Sequence, residues 1–283
     1  MRIFMTGATG YIGGAVASEL RRRGHEVTAL VRPESEAKHL RDAGVVLVAG
    51  DLTTLPSLTE TLDDHDALLH TAVARQNAAE GDRIAVDTFT SRNRHFVYTS
   101  GVWVLGNTHG ADEASEVNPL AASAWRAPHE ERVIKAGGAV LRPGCVYGGK
   151  QSLLGKWFAA AENKQPLEII GDGDNHWAMV DVNELADLYA RAIEQRTAGV
   201  LHGIDDTHAT MNACALAVAP DAQLEHVPVD AARAKLGHYA DALAVDQQIS
   251  SAATRAKTGW TPRRTFVNSV REQWEEWRMA SRQ

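Results

Sequence analysis

The sequence predicts an α/β fold in which a doubly wound parallel sheet carries a smaller mixed lobe at its carboxyl-terminal end. Three observations support this prediction. The amino terminus reads as strand, glycine turn and helix, and short apolar runs then alternate with helical patterns up to about residue 143. Beyond residue 150 the alternation is no longer strict, so we expect the sheet to be built largely from the first half of the chain.

The amino-terminal glycine turn is the first element. Gly7, Gly10 and Gly13 follow an apolar run, and an amphipathic segment that ends at Gly24 follows them. Such a turn lets the backbone approach a pyrophosphate closely, and the amides of a helix N-terminus face the anion. The spacing is not G-x-G-x-x-G, but residues 25–31 supply a second strand and complete a βαβ start. This pattern predicts a Rossmann-like, dinucleotide-binding domain.

The later elements are predicted from their periodicity and punctuation. The predicted helices cover residues of about 34–43, 55–63, 81–92, 125–136 and 267–279. The predicted buried strands cover residues 45–48, 67–71, 95–101 and 138–143. Residues 106–123 are polar and are predicted as a loop that either lines a substrate site or is an inert surface excursion. We expect the dinucleotide domain at 1–150 and the smaller substrate-binding lobe at 151–283, interleaved with the last sheet strands.

Composition argues against several classes of partner. A net charge of −7 and a pI near 5.9 argue against nucleic acid and anionic membrane surfaces, which require a basic face. The chain has two distant cysteines and no metal-like histidine spacing, so we predict neither a metal site nor a disulfide framework. It has no secretory leader and no apolar run of the roughly 20 residues that span a bilayer. We expect a cytoplasmic location and leave homo-oligomer formation open.

Several motifs together resemble the short-chain dehydrogenase/reductase superfamily, specifically its extended branch of epimerase-, dehydratase- and reductase-like proteins. The motifs lie at residues 6–13, 50–52, 97–100, 141–143, 146–148, 171–173, 180–186 and 258–262. The resemblance implies an NAD(P)-binding enzyme. It implies cofactor contacts from Gly7, Thr9, Gly10, Tyr11, Ile12, Gly13, Asp51, Leu52, Thr71, Ala72, Val73, Pro143, Gly144 and Val146. In the family, residues at 51–52 meet the adenine, those at 71–73 run beside the ribose and phosphates, and those at 143–146 flank the nicotinamide.

Arg32 bears on the choice between NAD(H) and NADP(H). NAD-specific members of this fold carry an acidic residue at the end of the second strand, where it binds the ribose 2′-hydroxyl. A guanidinium at that place suits a 2′-phosphate, because it is always charged and presents a fork of donors. Ser35 and Lys38 could assist. We predict NADP(H) in preference to NAD(H); the alternative interpretation is a solvated surface arginine.

The catalytic residues depart from the family pattern. The superfamily transfers protons with a tyrosine whose pKa is lowered by a lysine four residues later, and no Tyr-x-x-x-Lys occurs anywhere in this sequence. Alignment puts Ser123 at the tyrosine and Ala127 at the lysine, and it puts Gly101 at the usual serine, which leaves Ser100 one position early. The chain therefore resembles the atypical members of the superfamily.

Three residues remain as candidates for a catalytic role. His129 has a suitable intrinsic pKa, Arg126 could stabilise an oxyanion, and Ser100 could donate a hydrogen bond to substrate or nicotinamide. In the alternative interpretation, Arg126 and His129 are exposed helix residues, with Arg126 paired to Glu130 one turn on. Ser100 would then be only a strand end.

The positions of several tryptophans indicate the character of the substrate. Trp177 stands where nucleotide-sugar enzymes of the extended branch usually place a diphosphate-binding arginine. We predict that Trp103, Trp125 and Tyr147 join it around a small apolar or aromatic carbonyl compound, rather than a sugar nucleotide. The alternative is that these side chains belong to the core.

The sequence therefore favours an NADP(H)-dependent oxidoreductase that acts on a small organic carbonyl or conjugated substrate by hydride transfer. Two alternatives stay open. One is a redox-neutral epimerase, dehydratase or cyclase of the same superfamily. The other is a non-catalytic NADP(H)-sensing regulatory protein, which needs the glycine turn but not the missing tyrosine and lysine.

Overall fold

The computed structural model describes residues 1–35, 37–74, 76–149 and 151–281. Its strands are β1 Arg2–Thr6, β2 Glu26–Val31, β3 Val46–Ala49, β4 Ala67–His70, β5 His95–Thr99, β6 Thr108–Ala111, β7 Ala139–Pro143, β8 Cys145–Tyr147, β9 Leu167–Ile170, β10 Met179–Asp181, β11 Gly199–Gly203, β12 Leu224–Val227 and β13 Gln247–Ile249. Its α-helices are α1 Tyr11–Arg22, α2 Lys38–Asp42, α3 Thr59–Asp63, α4 Ala78–Thr90, α5 Ala127–Lys135, α6 Gly155–Glu162, α7 Val182–Glu194, α8 Met211–Val218, α9 Val229–Leu236, α10 Tyr239–Leu243, α11 Ala252–Thr258 and α12 Phe266–Ser281.

Seven parallel strands form the main sheet in the order β3-β2-β1-β4-β5-β7-β11. The predicted doubly wound parallel sheet is therefore confirmed. Helices α1 and α7 bury apolar side chains against one face, and α4 and α5 cover the other. The strand order reverses between β1 and β4, and open sheets of this kind bind ligands in the crevice at that point, beyond the carboxyl ends of the strands.

Helix α1 forms where the glycine turn predicts it. Val16 and Leu20 are four residues apart, so they share one helical face, and both are fully buried against the sheet, whereas Ile12 is only partly buried. Arginines occupy the last turn, where cations suit the helix dipole. Arg23 forms ion pairs with Asp187 and Glu194, so the end of α1 is tied to α7.

A second core lies in the carboxyl-terminal half. It gathers apolar side chains from β8, β10, α6, α8 and α12. Three parallel strand pairs accompany it, β8 with β10, β9 with β12, and β6 with β13. Because α7 and β11 return to the main sheet between these elements, the second core is interleaved with the first along the chain.

Several predicted elements are corrected by the structure. Strand β3 was expected to be buried, yet Val46 is 61 % exposed, because β3 is the edge of the sheet. The predicted loop at 106–123 contains β6, since residues 108–111 pair with β13. The helix predicted over 55–63 is divided into a 3₁₀ turn at 55–57 and α3. The part of the chain that is described has no helix with both the length and the apolar composition needed to cross a bilayer.

Candidate functional site

A cleft runs along the carboxyl ends of the main-sheet strands and consists of two cavities that share Val73. The β2-side cavity, of about 640 Å³, is lined by residues 6–7, 9–10, 30, 32, 50–53, 71–74 and 76. The β5-side cavity, of about 470 Å³, is lined by residues 11–12, 73, 78, 100–103, 122–123, 125–126, 143–146, 151 and 153. The glycine turn borders the first cavity and the start of α1, at Tyr11 and Ile12, borders the second. One elongated ligand can therefore pass from one cavity to the other.

The glycine turn is packed too closely for side chains. Gly7 has a φ of +82°, and a Cβ there would lie 2.5 Å from the Ala72 amide nitrogen. A Cβ on Gly13 would lie 2.1 Å from the Gly7 carbonyl oxygen. Gly10 precedes α1 without a side-chain cap, and the first turn carries no acidic residue. The first amides of α1 lack an intrahelical acceptor, and the residues at this helix start line the two cavities, so the helix start suits an anion such as a pyrophosphate.

The predicted cofactor residues are brought together by the fold. Gly7, Thr9, Gly10, Arg32, Asp51, Leu52, Thr71 and Ala72 line the β2-side cavity, Tyr11, Ile12, Pro143, Gly144 and Val146 line the β5-side cavity, and Val73 lines both. Gly13 lies beneath the turn and lines neither. The uncapped helix, the glycine cradle and the two joined cavities fit a dinucleotide, and the family resemblance implies adenosine on the β2 side and nicotinamide on the β5 side.

Arg32 and Asp51 stand together in the β2-side cavity. Arg32 directly follows β2, and its Nε lies 3.5 Å from Glu34 Oε1. Hydrogen bonds to the Asp51 carboxylate, first from the Thr53 hydroxyl, lower the pKa of Asp51, and the nearby Arg32 adds to this effect. Lys38 is paired with Asp42 instead and does not line the cavity. Among the described residues that line this cavity, Arg32 is thus the one cation that can meet a phosphate.

Ser100 follows β5 and faces the β5-side cavity. The residue is 6 % exposed, and its Oγ is buried without a hydrogen-bond partner among the described residues. Its amide donates to the Leu141 carbonyl at 2.8 Å, which holds the backbone against β7. Since buried polar groups are normally hydrogen-bonded, this hydroxyl is available for a ligand atom.

Arg126 lines the same cavity from the 3₁₀ turn that precedes α5. Its guanidinium lies 4.2 Å from the ring centroid of Trp125, and its Nη1 donates to the Thr99 carbonyl at 2.7 Å. The alternative pairing with Glu130 does not occur, because Glu130 is buried and paired with Arg142 at 2.5 Å. Of the described residues that line this cavity, Arg126 is the charged one.

His129 is placed differently from its prediction. It is buried on α5, its ring lies edge-on against those of Tyr98 and Trp125, and it does not line the cavity. Burial lowers the pKa of the His129 imidazole. The helix directs this side chain toward β5, behind Trp125, so it is not positioned to exchange a proton with a bound substrate.

Tyr147 and Trp177 are also corrected, because both belong to the second core. The Tyr147 hydroxyl donates to Asp205 Oδ2 at 2.8 Å, and the Trp177 Nε1 donates to the Leu243 carbonyl at 3.1 Å. Neither side chain lines the cleft. Their polar atoms are satisfied within the protein, which is the usual state of a buried aromatic residue.

The far wall of the β5-side cavity combines predicted and unpredicted residues. Trp103 and Trp125 line it, as predicted, and so does Ser123, whose Oγ donates to the Leu120 carbonyl. Gln151 and Leu153 also line it and were missed, since nothing in their local sequence distinguishes them from other turn residues. Among the described residues, no three of the His, Cys, Asp and Glu side chains are arranged to hold a metal ion.

Comparisons with known proteins agree with this geometry. The model of the NAD dependent epimerase/dehydratase family matches residues 3–204. An uncharacterized protein of Schizosaccharomyces pombe is 30 % identical over 284 residues, which cover 93 % of this chain and 95 % of that protein. A 2-alkyl-3-oxoalkanoate reductase of Stenotrophomonas maltophilia is 30 % identical over 62 % of this chain and 60 % of its own length. The UDP-glucose 4-epimerase of Thermus thermophilus, in complex with NAD, shares the fold with a TM-score of 0.82 at 19 % identity, over 99 % of this chain and 100 % of the other.

Proposed function

This chain belongs to the NAD dependent epimerase/dehydratase family, and we propose that it is an NADP(H)-dependent reductase of a small, largely apolar carbonyl or conjugated compound. It is an NAD(P)-dependent enzyme of the short-chain dehydrogenase/reductase group. The observation that carries the finer proposal is the β5-side cavity, where the unpartnered Ser100 hydroxyl and the Arg126 guanidinium are set in a wall that is otherwise mainly apolar.

The preference for NADP(H) rests on Arg32. Position 32, directly after β2, carries this guanidinium, whereas NAD-specific members of the fold carry an acidic side chain there. A 2′-phosphate at that place would meet a permanent positive charge within the β2-side cavity. Asp51, whose carboxylate is already held by the turn at Thr53, would remain near the adenine side.

The substrate preference rests on the walls of the β5-side cavity. Trp103 and Trp125 offer aromatic faces, and no acidic side chain lines it among the described residues. A sugar nucleotide would require polar groups for its hydroxyls and diphosphate, whereas a compact apolar body would bury against these walls. The relative from Stenotrophomonas maltophilia is named as a reductase of 2-alkyl-3-oxoalkanoates, which are carbonyl compounds with apolar chains.

The residues of this cavity can support a carbonyl reduction. When bound, NADPH supplies the hydride that the carbonyl carbon accepts. The Ser100 hydroxyl donates a hydrogen bond to the carbonyl oxygen, and Arg126 stabilises the negative charge that develops there. Arg126 keeps its proton and His129 lies outside the cavity, so water protonates the oxygen while Ser100 holds it in place. Residues 1–150 would bind the cofactor, and the lobe at 151–283 would add Gln151 and Leu153 on the substrate side.

A panel assay tests this function. Purified protein is incubated with NADPH and with aromatic aldehydes, aryl ketones, 3-oxo esters, conjugated enones or a UDP-4-keto sugar, and loss of NADPH absorbance is followed. We expect oxidation with one or more of the apolar compounds and none with the UDP-4-keto sugar. Calorimetry measures NADPH binding in parallel. Tight NADPH binding without oxidation by any carbonyl or conjugated compound would refute the reductase proposal and favour a regulatory or redox-neutral role.

A further inference from the structure

A buried polar cluster lies behind the β5-side cavity and does not line it; it consists of Thr6, His70, Asp82 and Tyr98, and we name it the Asp82 cluster. Asp82, on α4, is 0 % exposed. The Tyr98 hydroxyl donates to Asp82 Oδ2 at 2.6 Å, and His70 Nε2 lies 3.2 Å from Oδ1. On its other side, His70 Nδ1 lies 2.7 Å from Thr6 Oγ1.

The hydrogen bonds of the cluster all point toward Asp82. An ionised carboxylate only accepts, so His70 carries its proton on Nε2, and Thr6 then donates to Nδ1. The same arrangement opposes ionisation of Tyr98, since burial and then the Asp82 charge raise its pKa. Asp82 is therefore the acceptor at the end of a hydrogen-bonded chain that starts next to Gly7.

A buried carboxylate of this kind is stable only beside a cation. Among the described residues, the guanidinium within reach is that of Arg126, whose Nη1 lies 3.7 Å from Asp82 Oδ2. If Arg126 turned out toward solvent, it would leave an uncompensated charge in the protein interior. Asp82 consequently opposes every orientation of Arg126 that removes the guanidinium from the wall of the cavity.

We propose that Asp82 is the positioning residue for Arg126, through the buried ion pair that holds the guanidinium where the substrate carbonyl oxygen takes up negative charge. This inference rests on the proposed function, because it assigns Arg126 a role in that reaction. Asp82 touches neither cavity and acts through Arg126. Thr6 and His70 extend its support to the end of β1, so one buried cluster underlies both the glycine turn and the substrate wall.

Three other contacts could hold Arg126 without Asp82. The Thr99 carbonyl accepts from its Nη1, the Trp125 ring lies beneath its guanidinium, and the guanidinium also interacts with the Tyr98 hydroxyl. Trp125 belongs to the same short turn as Arg126 and can move with it, and a carbonyl or hydroxyl dipole attracts a cation less than a full buried charge does. The experiment must therefore separate Asp82 from these three contacts.

The first test observes Arg126 directly by nitrogen-15 NMR of arginine side chains in the full-length protein with NADPH. The Arg126 guanidinium signal is assigned by its disappearance in Arg126→Lys. We expect the Arg126 N–H protons to exchange slowly with solvent in the wild type, and we expect Asp82→Asn to abolish this signal. The matched control, Glu130→Gln, breaks the buried pair with Arg142 elsewhere and should leave it unchanged. An unaltered Arg126 signal in Asp82→Asn overturns the proposal.

If Asp82→Asn does not fold, a second pair of variants tests whether Arg126 neutralises Asp82. Arg126 is near the surface of the cavity, so Arg126→Lys and Arg126→Met can be compared by thermal unfolding. If Arg126 neutralises Asp82, the lysine variant should unfold at a clearly higher temperature than the methionine variant. Equal unfolding temperatures overturn the proposal.

A kinetic cycle tests the consequence for catalysis, with the carbonyl compound that the panel identifies. We expect Asp82→Asn to lower kcat roughly tenfold, with the KM for NADPH unchanged, and to cause no further loss in an Arg126→Met background. Losses that multiply in the double variant overturn the proposal. If the panel identifies no substrate, the reductase function fails, while the NMR test still decides whether Asp82 positions Arg126.

Discussion

Removal of the Arg32 guanidinium should weaken NADPH binding and leave NADH binding unchanged. A hydrogen bond to a charged group contributes about 1.5–3 kcal/mol. The Arg32 side chain is 38 % exposed and its Nε lies 3.5 Å from Glu34 Oε1, so solvent screening and this competing carboxylate favour the lower end of the range. About 1.5 kcal/mol corresponds to a roughly tenfold rise in the NADPH dissociation constant of Arg32→Ala.

Isothermal titration of wild type, Arg32→Ala and Arg41→Ala with NADPH and with NADH measures this effect. Arg41 is the matched control, because it is an exposed arginine on the neighbouring helix α2 that does not line the β2-side cavity. We expect the NADPH constant to change only in Arg32→Ala. Equal affinities of wild type and Arg32→Ala for NADPH, or a parallel loss of NADH binding, would refute the assignment of Arg32 to the 2′-phosphate.

Three further predictions follow from the site and the second core. Ser100→Ala removes an unpartnered hydroxyl, so the unfolding temperature should stay constant while kcat falls about 100-fold; a large loss of stability would show a structural role instead. Gly13→Ala places a Cβ 2.1 Å from a backbone oxygen and should abolish NADPH binding in calorimetry. The control Gly14→Ala, whose Cβ has its nearest atom at 3.4 Å, should bind NADPH normally. Similar NADPH affinities of the two variants would contradict this account of the turn. Burial raises the pKa of Asp205 to about 6, so its protonated form stabilises the folded state at low pH and this contribution is lost as the pH rises through that value. Relative to wild type, the free energy of unfolding of Asp205→Asn should therefore rise by up to about 3 kcal/mol between about pH 4 and pH 7, as measured by denaturant unfolding. A difference that does not vary with pH would disprove the raised pKa of Asp205.

The main sheet and the cofactor side of the cleft follow from local sequence. The glycine turn, α1 and the apolar runs of β1, β4 and β5 are specified by residues close together in the chain, and parallel strands bring their carboxyl ends to one edge by topology alone. For this reason the sequence is enough to predict that Arg32, Asp51 and Thr71 meet in one cavity. The edge position of β3 was not predictable in the same way, because apolar composition does not reveal which strand lacks a neighbour.

On the substrate side of the cleft, local sequence does not predict which side chains line the cavity. Trp103 and Trp125 line the β5-side cavity, whereas Trp177 and Tyr147 are buried in the second core, although all four are aromatic residues. A side chain's neighbours there are set by elements far away in sequence, such as the segment at 239–247 that receives Trp177. Sequence spacing carries no information on these contacts.

The sequence by itself determined the α/β class, the parallel sheet and the family with its nicotinamide-type dinucleotide chemistry, since each rests on patterns of a few neighbouring residues. Only the tertiary structure decided that Ser100 and Arg126 share a cavity and that His129 is turned away from it. It also placed the buried charge of Asp82 behind Arg126, across separate helices and strands. These are long-range contacts, and a buried charge acquires its effect only from the partners that the fold brings to it.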